Sequence, residues 1–232
     1  MPSYWSSLPG VPSNVPTRSS ACSLCTSPIT KWYKHDPFAT HFRQGEIVML
    51  YESVHTPIDI IFGHGNTASK LASSSSKGPR PAIILGSDRP IRPIAGQPLP
   101  PTTLVYLLTS YNEIHTSKLL PTILKDYFAI PVSPHCEAGT SGCHLHISPE
   151  WQRDNIWLIA SKFQSFGTVA GRWQYVNGRG AGQHDLSFIV AGKHIAMLHT
   201  VSQERMDTWA ERCCTIEGYI DTCEEVYEVR LI

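Results

Sequence analysis

Residues 78–88 read GPRPAIILGSD, and the reading of the whole chain turns on this stretch. Pro81-Ala82-Ile83-Ile84-Leu85 run without a polar break and end at Gly86. A short, continuous apolar run bounded by turn residues predicts a strand buried on both faces. Upstream, Gly45-Glu46-Ile47-Val48-Met49-Leu50-Tyr51 is the first strong strand signal. Between the two, residues 52–79 turn to His, Gly, Ser and Thr and end in the tract Ser73 to Ser76. A connection of that length is expected to be functional or irregular. Downstream, the proline-broken stretch Arg89 to Pro101 leads to a third strand, Thr103 to Thr109. Further short strands are predicted at 127–132, 144–147 and 155–160. Short strands at close spacing, punctuated by Pro and Gly, predict a small barrel or sandwich.

The flanks differ. Residues 1–30 are rich in Pro and Ser and predict an irregular arm. Residues 171–184 (GRWQYVNGRGAGQH) read as a glycine-rich loop, and from Asp185 to about Cys214 apolar residues follow one side of a helix. The acidic remainder, 216–232, is a packed tail anchored by Tyr219, Tyr227 and Val229. The expected organisation is an N-terminal arm over 1–40, a β-rich body over 41–170, and a loop, helix and tail over 171–232.

Composition limits the function classes. The 232 residues carry 19 Lys+Arg against 19 Asp+Glu, and 16% are charged, against about 25% in an average soluble domain. With 41% hydrophobic residues the chain can build a core, which excludes disorder throughout. Zero net charge argues against finding nucleic acid through a whole-molecule positive field and leaves room only for a local groove. No run approaches the ~20 apolar residues of a membrane span, and the N-terminus has no apolar signal region. The expectation is a cytoplasmic protein without membrane association. Its seven cysteines, an odd number, fit free thiols in a reducing compartment.

The segments GEIVML (45–50), GPRPAIILGSD (78–88), LVYLLTSYN (104–112), HLHI (144–147) and RDNIWLIASKFQSF (153–166), taken in order, resemble the MazF/PemK/Kid family of ribonuclease toxins. The resemblance covers roughly residues 45–167, and the order of the segments carries most of its weight. It implies a mainly β (α+β) fold: a small, strongly curved β-barrel with a C-terminal helix, usually a homodimer, with single-stranded RNA in a groove and a protein inhibitor as a further partner. It also implies metal-independent cleavage, in which the ribose 2′-hydroxyl attacks the adjacent phosphorus and leaves a 2′,3′-cyclic phosphate and a 5′-hydroxyl. That chemistry needs a base, an acid and a cation for the phosphorane charge. By the same resemblance Arg80 matches the catalytic arginine, and guanidinium suits the role because it is permanently charged and bidentate toward phosphate. Thr109 matches the catalytic threonine, with Ser110 beside it as a further donor, and Glu46 matches an acidic position on the first strand.

Two departures open a second reading. SSSSKG at 73–78 stands where the family often has a Gly-Ser-Glu-Gln loop, and Ala160-Ser161-Lys162-Phe163 stands where an acid and an arginine are often found. Either histidines supply the acid and base, or the barrel is a catalytically altered module that binds nucleic acid or protein. His55 and His64 lie in the long first loop, and His64 is the candidate acid or base. Lys77, Arg89 and Arg92 with Arg80 form a basic stretch, either an RNA rim or a solvated strand end. Tyr106, Tyr111 and Trp151 are available for base stacking, and His115 and His146 complete the substrate-binding candidates. His115-Thr116-Ser117 and His146-Ile147-Ser148 also match the His-x-Ser pattern of two-histidine phosphoesterases, and so motivate a third reading as a His/Cys-based hydrolase, with or without a metal. No cofactor is expected. Structural zinc on Cys22, Cys25, Cys136 and Cys143 is the alternative.

Overall fold

The computed structural model describes residues 41–64, 78–86, 97–99, 103–111, 114, 117–133, 144–151, 155–173 and 187–231. The predicted N-terminal arm therefore lies outside the described residues, as do Cys22, Cys25, Lys77, Arg89, Arg92, His115, Cys136 and Cys143.

Eight strands form among the described residues: β1 (Ile47–Tyr51), β2 (Arg80–Gly86), β3 (Gln97–Pro98), β4 (Leu104–Thr109), β5 (Ala129–Pro131), β6 (Trp157–Ile159), β7 (Phe163–Gln164) and β8 (Thr168–Arg172). They make one antiparallel sheet in the order β3-β8-β1-β2-β4-β6-β5, with β7 also pairing β4. β3 and β5 are its two edges, so the described sheet is open, and the expected barrel reduces to a curved antiparallel sheet with C-terminal helices. The curvature has visible causes. The β1–β8 register shifts between Met49 and Leu50, and the β2–β4 register between Ile84 and Gly86; such bulges bend a strand and increase its twist. β6 and β7 are two parts of one bent segment, pairing with opposite ends of β4.

Alternation sorts the side chains to two faces. Val48, Leu50, Ala82, Ile84, Val105 and Leu107 enter one apolar cluster with Ile58, Tyr127, Phe128 and Trp157. Ile47, Ile83, Leu85, Tyr106 and Leu108 enter a second cluster with Leu145, Trp151 and Phe188. Each face has its own core, which explains why β2 reads as an unbroken apolar run.

Helices complete both cores. α1 (Thr56–Ile61), with Pro57 in its first turn, buries Ile58 in the first cluster. It sits inside the predicted long connection and was too short to show a period. α2 (Gly192–Thr215) starts later than the predicted Asp185, because Ser148 and Glu46 bridge Ile189 and hold the preceding residues extended. Its first half sends Ile195 and Leu198 into the second cluster, and its second half sends Trp209 into the first. Between them, Arg205 donates to the carbonyls of Tyr127 (2.9 Å) and Ala129 (3.1 Å), and the Ser202 hydroxyl donates to that of Ala160 (2.7 Å). α2 thus caps polar groups beside edge strand β5 that would otherwise invite another chain. The acidic tail is also helical: α3 (Tyr219–Leu231). Tyr219, Cys223 and Tyr227, four residues apart, form one stripe, and Cys223 and Tyr227 join the first cluster. No described helix is long and apolar enough to cross a membrane.

Two further predicted strands are corrected. Residues 124–128 wind into a π-helical turn that buries Leu124, Tyr127 and Phe128, so β5 begins only at Ala129. In 144–147, only Leu145 forms an isolated bridge, to Val132.

Gly45 closes the start of β1. Its φ is +86°, and a Cβ there would lie 2.4 Å from the Val190 carbonyl oxygen, so no other residue fits without backbone movement. Next to it, buried Glu46 accepts from Arg172 Nε at 3.2 Å and from the Arg43 backbone N–H at 2.7 Å. Arg172 also donates to the His41 carbonyl (3.0 Å) and lies 4.8 Å over the Phe42 ring. This pair ties the start of β1 to the end of β8. Arg172→Met should destabilise the fold by about 3–5 kcal/mol, because it strands a buried carboxylate, and adding Glu46→Gln should restore a large part of that loss. Urea unfolding of the single and double variants measures it. Equal losses in both would show that the pair is not what the fold depends on there.

Candidate functional site

β2 and β4 bring the two surest candidates together. Ala82 pairs with Leu107 and Ile83 with Tyr106; carried two residues further, the same register sets Arg80 across from Thr109. Leu50 pairs with Arg80, and Thr109 with Trp157. Leu50, Arg80, Thr109 and Trp157 therefore form one cross-strand row on the face of the first cluster. Side chains so placed are neighbours, roughly 5 Å apart at Cβ when directly opposite.

Tyr111 extends the row. Its φ of +44° lies in the left-handed region, which non-glycine residues seldom adopt. The turn is held by the Tyr111 N–H donating to Thr109 Oγ1 at 3.2 Å. It drives the Tyr111 ring into the core, 4% exposed, with a hydroxyl that has no hydrogen-bond partner among the described residues. Arg80 is half-buried, and its side chain makes no ion pair or hydrogen bond with another described residue. The ionisable groups acting on it are the phenols of Tyr111 and Tyr227. Burial lowers the Arg80 pKa, an effect the two tyrosines oppose, and burial holds the Tyr111 pKa well above its usual value. At neutral pH the corner holds a guanidinium cation and a protonated phenol, both lacking an acceptor among the described residues.

α1 and α3 enclose this corner. His55, at the head of α1, meets Tyr227 Oη through Nδ1 at 3.0 Å. Phe62 packs edge-on to Tyr227, with centroids 6.0 Å apart. His64, more exposed, meets Glu224 Oε1 through Nε2 at 2.5 Å. The first-loop histidine tied to the Arg80–Tyr111 corner through Tyr227 is therefore His55, whereas the sequence pointed to His64. Ser110 is half-buried and accepts the Ile114 N–H at its carbonyl (3.0 Å).

Other candidates lie elsewhere. Glu46 pairs near Ile84, at the far end of β2 from Arg80 and about 13 Å away at a strand's rise, and both its oxygens are engaged by Arg172 and Arg43. Its observed task is structural. Tyr106 and Trp151 are buried in the second cluster, Trp151 stacked on Trp173, so neither presents a free face for a base. His146 sits in a second group, with ring centroids 4.5 Å from His144 and 5.8 Å from His194. Among the described residues the buried His194 ring has no hydrogen bond of normal geometry, and the His146 main chain is a near polar neighbour. Among the described residues, no group of three or more His, Cys, Asp or Glu is placed to hold a metal ion. Cys213 is half-buried and Cys214 exposed, while Cys223 is buried, its thiol pushed up to about 11 by burial.

The chain matches no known protein-family model, no curated protein and no solved structure.

The histidine group makes the fold acid-sensitive. Burial first, then the charges of His144, His194 and Lys193, lower the His146 pKa from 6.5 to about 4. The folded state thus binds fewer protons than the unfolded chain below pH 6.5. Stability present above that pH is lost as pH falls toward the folded value. The melting temperature should drop between pH 7 and 4.5, and His146→Asn should shrink that drop. An NMR titration of His146 with a midpoint near 6.5 would contradict this.

Proposed function

We propose that this chain is a MazF/PemK-like endoribonuclease acting on single-stranded RNA. One observation carries the reading: Arg80, half-buried and unpaired among the described residues, stands in register across from Thr109 and beside the unpartnered hydroxyl of Tyr111. A desolvated cation without a carboxylate is costly to hold unless it serves a ligand. A cation flanked by hydroxyl donors suits an anionic tetrahedral or trigonal-bipyramidal oxygen cluster.

In this reading the scissile phosphate lies against Arg80, whose guanidinium takes the charge that develops on the non-bridging oxygens as the 2′-oxygen attacks. Thr109 and Ser110 donate to the same oxygens. Tyr111, kept protonated by burial, gives its proton to the departing 5′-oxygen. His55, whose Nδ1 the Tyr227 hydroxyl engages in the structure, takes the 2′-hydroxyl proton in place of the engaged Glu46. The products are a 2′,3′-cyclic phosphate and a 5′-hydroxyl. Closure of the curved sheet into a barrel, pairing into a homodimer and a cytoplasmic setting belong to the same proposal. A second reading, RNA binding without cleavage, is favoured by one observation: Glu46, the acid on the first strand, is tied to Arg172.

Arg80→Ala should lower cleavage of a single-stranded RNA by at least ~10²-fold, the scale of losing one charge-stabilising donor, with Thr109→Val giving a smaller loss and the far-UV spectrum unchanged. Product analysis should find cyclic phosphate ends. Parent-level cutting by Arg80→Ala refutes the catalytic reading, and tight RNA binding with no cyclic product favours the second.

A further inference from the structure

The groups that would meet RNA are buried within the chain itself. Thr109 and Tyr111 are each 4% exposed, so no phosphate reaches them as the molecule stands. Tyr227 of α3 belongs to the same buried cluster as Tyr111. Tyr227 is buried, acts electrostatically on both Arg80 and Tyr111, packs on Phe62 and bonds His55. One turn earlier Glu224 holds His64. The Tyr227 phenol thus engages His55 beside the guanidinium, and the Glu224 carboxylate engages His64, so both imidazoles are taken up by α3.

The attachment of α3 is of a kind that can be undone. α3 adds no strand to the sheet. It is joined to α2 through a short break: Ile216 is extended, with φ −119° and ψ 112°, and Gly218 has φ +68°. A Cβ placed on Gly218 would meet nothing within 4 Å, so open space surrounds the link. The outer surface of α3 carries Asp221 and Glu225, both exposed, and charge there opposes the approach of a polyanion while the helix is seated. Beyond the link, α3 is held by its stripe of Tyr219, Cys223 and Tyr227. The Tyr219 hydroxyl meets that of Tyr127 at 2.9 Å, and the Tyr219 ring lies against Trp209, with centroids 5.6 Å apart.

We infer that α3 is an autoinhibitory plug, seated by Tyr227 and Glu224 on the corner formed by Arg80, Thr109 and Tyr111, and that it must swing away at Gly218 before RNA can enter. The inference rests on the proposed RNA reading of that corner. It makes the seated form inactive and predicts that RNA and α3 exclude one another.

The test uses the full-length chain and two readouts, only one of which involves RNA. Tyr227→Phe removes the bond to His55 and keeps the ring; the double variant Tyr227→Ala, Glu224→Lys removes both seats. Modification of Arg80 by phenylglyoxal, followed by peptide mass spectrometry, reports whether the corner is open. Cleavage of a single-stranded RNA reports whether the open form is active. Arg80 should be modified several-fold faster in Tyr227→Phe and at least tenfold faster in the double variant, with cleavage rising in parallel. Unchanged Arg80 reactivity in both variants, with the parent's far-UV spectrum, overturns the plug. If the double variant does not fold, the result for Tyr227→Phe decides. Faster modification without any cleavage keeps the cover and refutes the ribonuclease reading on which its regulatory role depends.

Discussion

In an antiparallel ladder, a slip of one residue sends every side chain through to the opposite face. The ladder between β2 and β4 is the constraint on which this molecule depends. With Ala82 against Leu107 and Ile83 against Tyr106, each strand feeds both apolar clusters, and the same pairing sets Arg80 against Thr109. Slipping it by one residue would turn Arg80 toward the face of the second cluster and would dismantle both cores together. Site geometry and core packing are therefore a single property here. The bulges that curl the sheet fall outside this central register, between Ile84 and Gly86 and between Met49 and Leu50.

Polar groups in the two halves of the structure are treated differently. Glu46 and Arg172 satisfy one another and draw in the Arg43 N–H and His41 carbonyl. Glu52, also buried, accepts from Thr56, Ser53 and Ser165. Such carboxylates are fully used in holding β1, α1 and the approach to β8 together. At the other end of β2, the Arg80 cation and the Tyr111 hydroxyl have no such partners among the described residues, and Tyr111 is held in a strained backbone conformation. Unsatisfied buried groups and left-handed non-glycine residues each cost free energy, and they cluster where a ligand is expected to repay it. The contrast between the two ends of one strand is what supports placing the proposed site at the Arg80 end.

Much of the architecture could be read from the chain. Three central strands stood out because their apolar runs are strong and bounded by glycine, proline or polar residues. The long C-terminal helix showed through the spacing of Ile195, Leu198 and Trp209. What could not be read was short or two-sided: α1, with six residues, carries less than two turns of pattern, and β3 and β7 have two residues each. The π-helical turn at 124–128 uses the same aromatic and branched residues a strand would use. The start of α2 was misplaced because Ile189 and Val190 fit a helical stripe but are claimed by bridges to Glu46 and Ser148 and by the bond from the Val190 N–H to the Gly45 carbonyl.

The site divides along the same line. By itself the sequence determined which residue types were available; the resemblance singled out two of them, an arginine opening one strand and a threonine closing another. It determined also that charge would be local, with basic residues near β2 and acidic ones near the C-terminus. Only the tertiary structure decided which distant residues complete the corner. Glu46 was removed to a buried ion pair, His55 was joined to Tyr227, Tyr111 was turned inward, and the acidic tail became a helix whose Cys223 and Tyr227 enter the first core. The physical reason is that the Glu46–Arg172 and His55–Tyr227 contacts join segments more than 100 residues apart. Local propensity carries no term for the contact that wins.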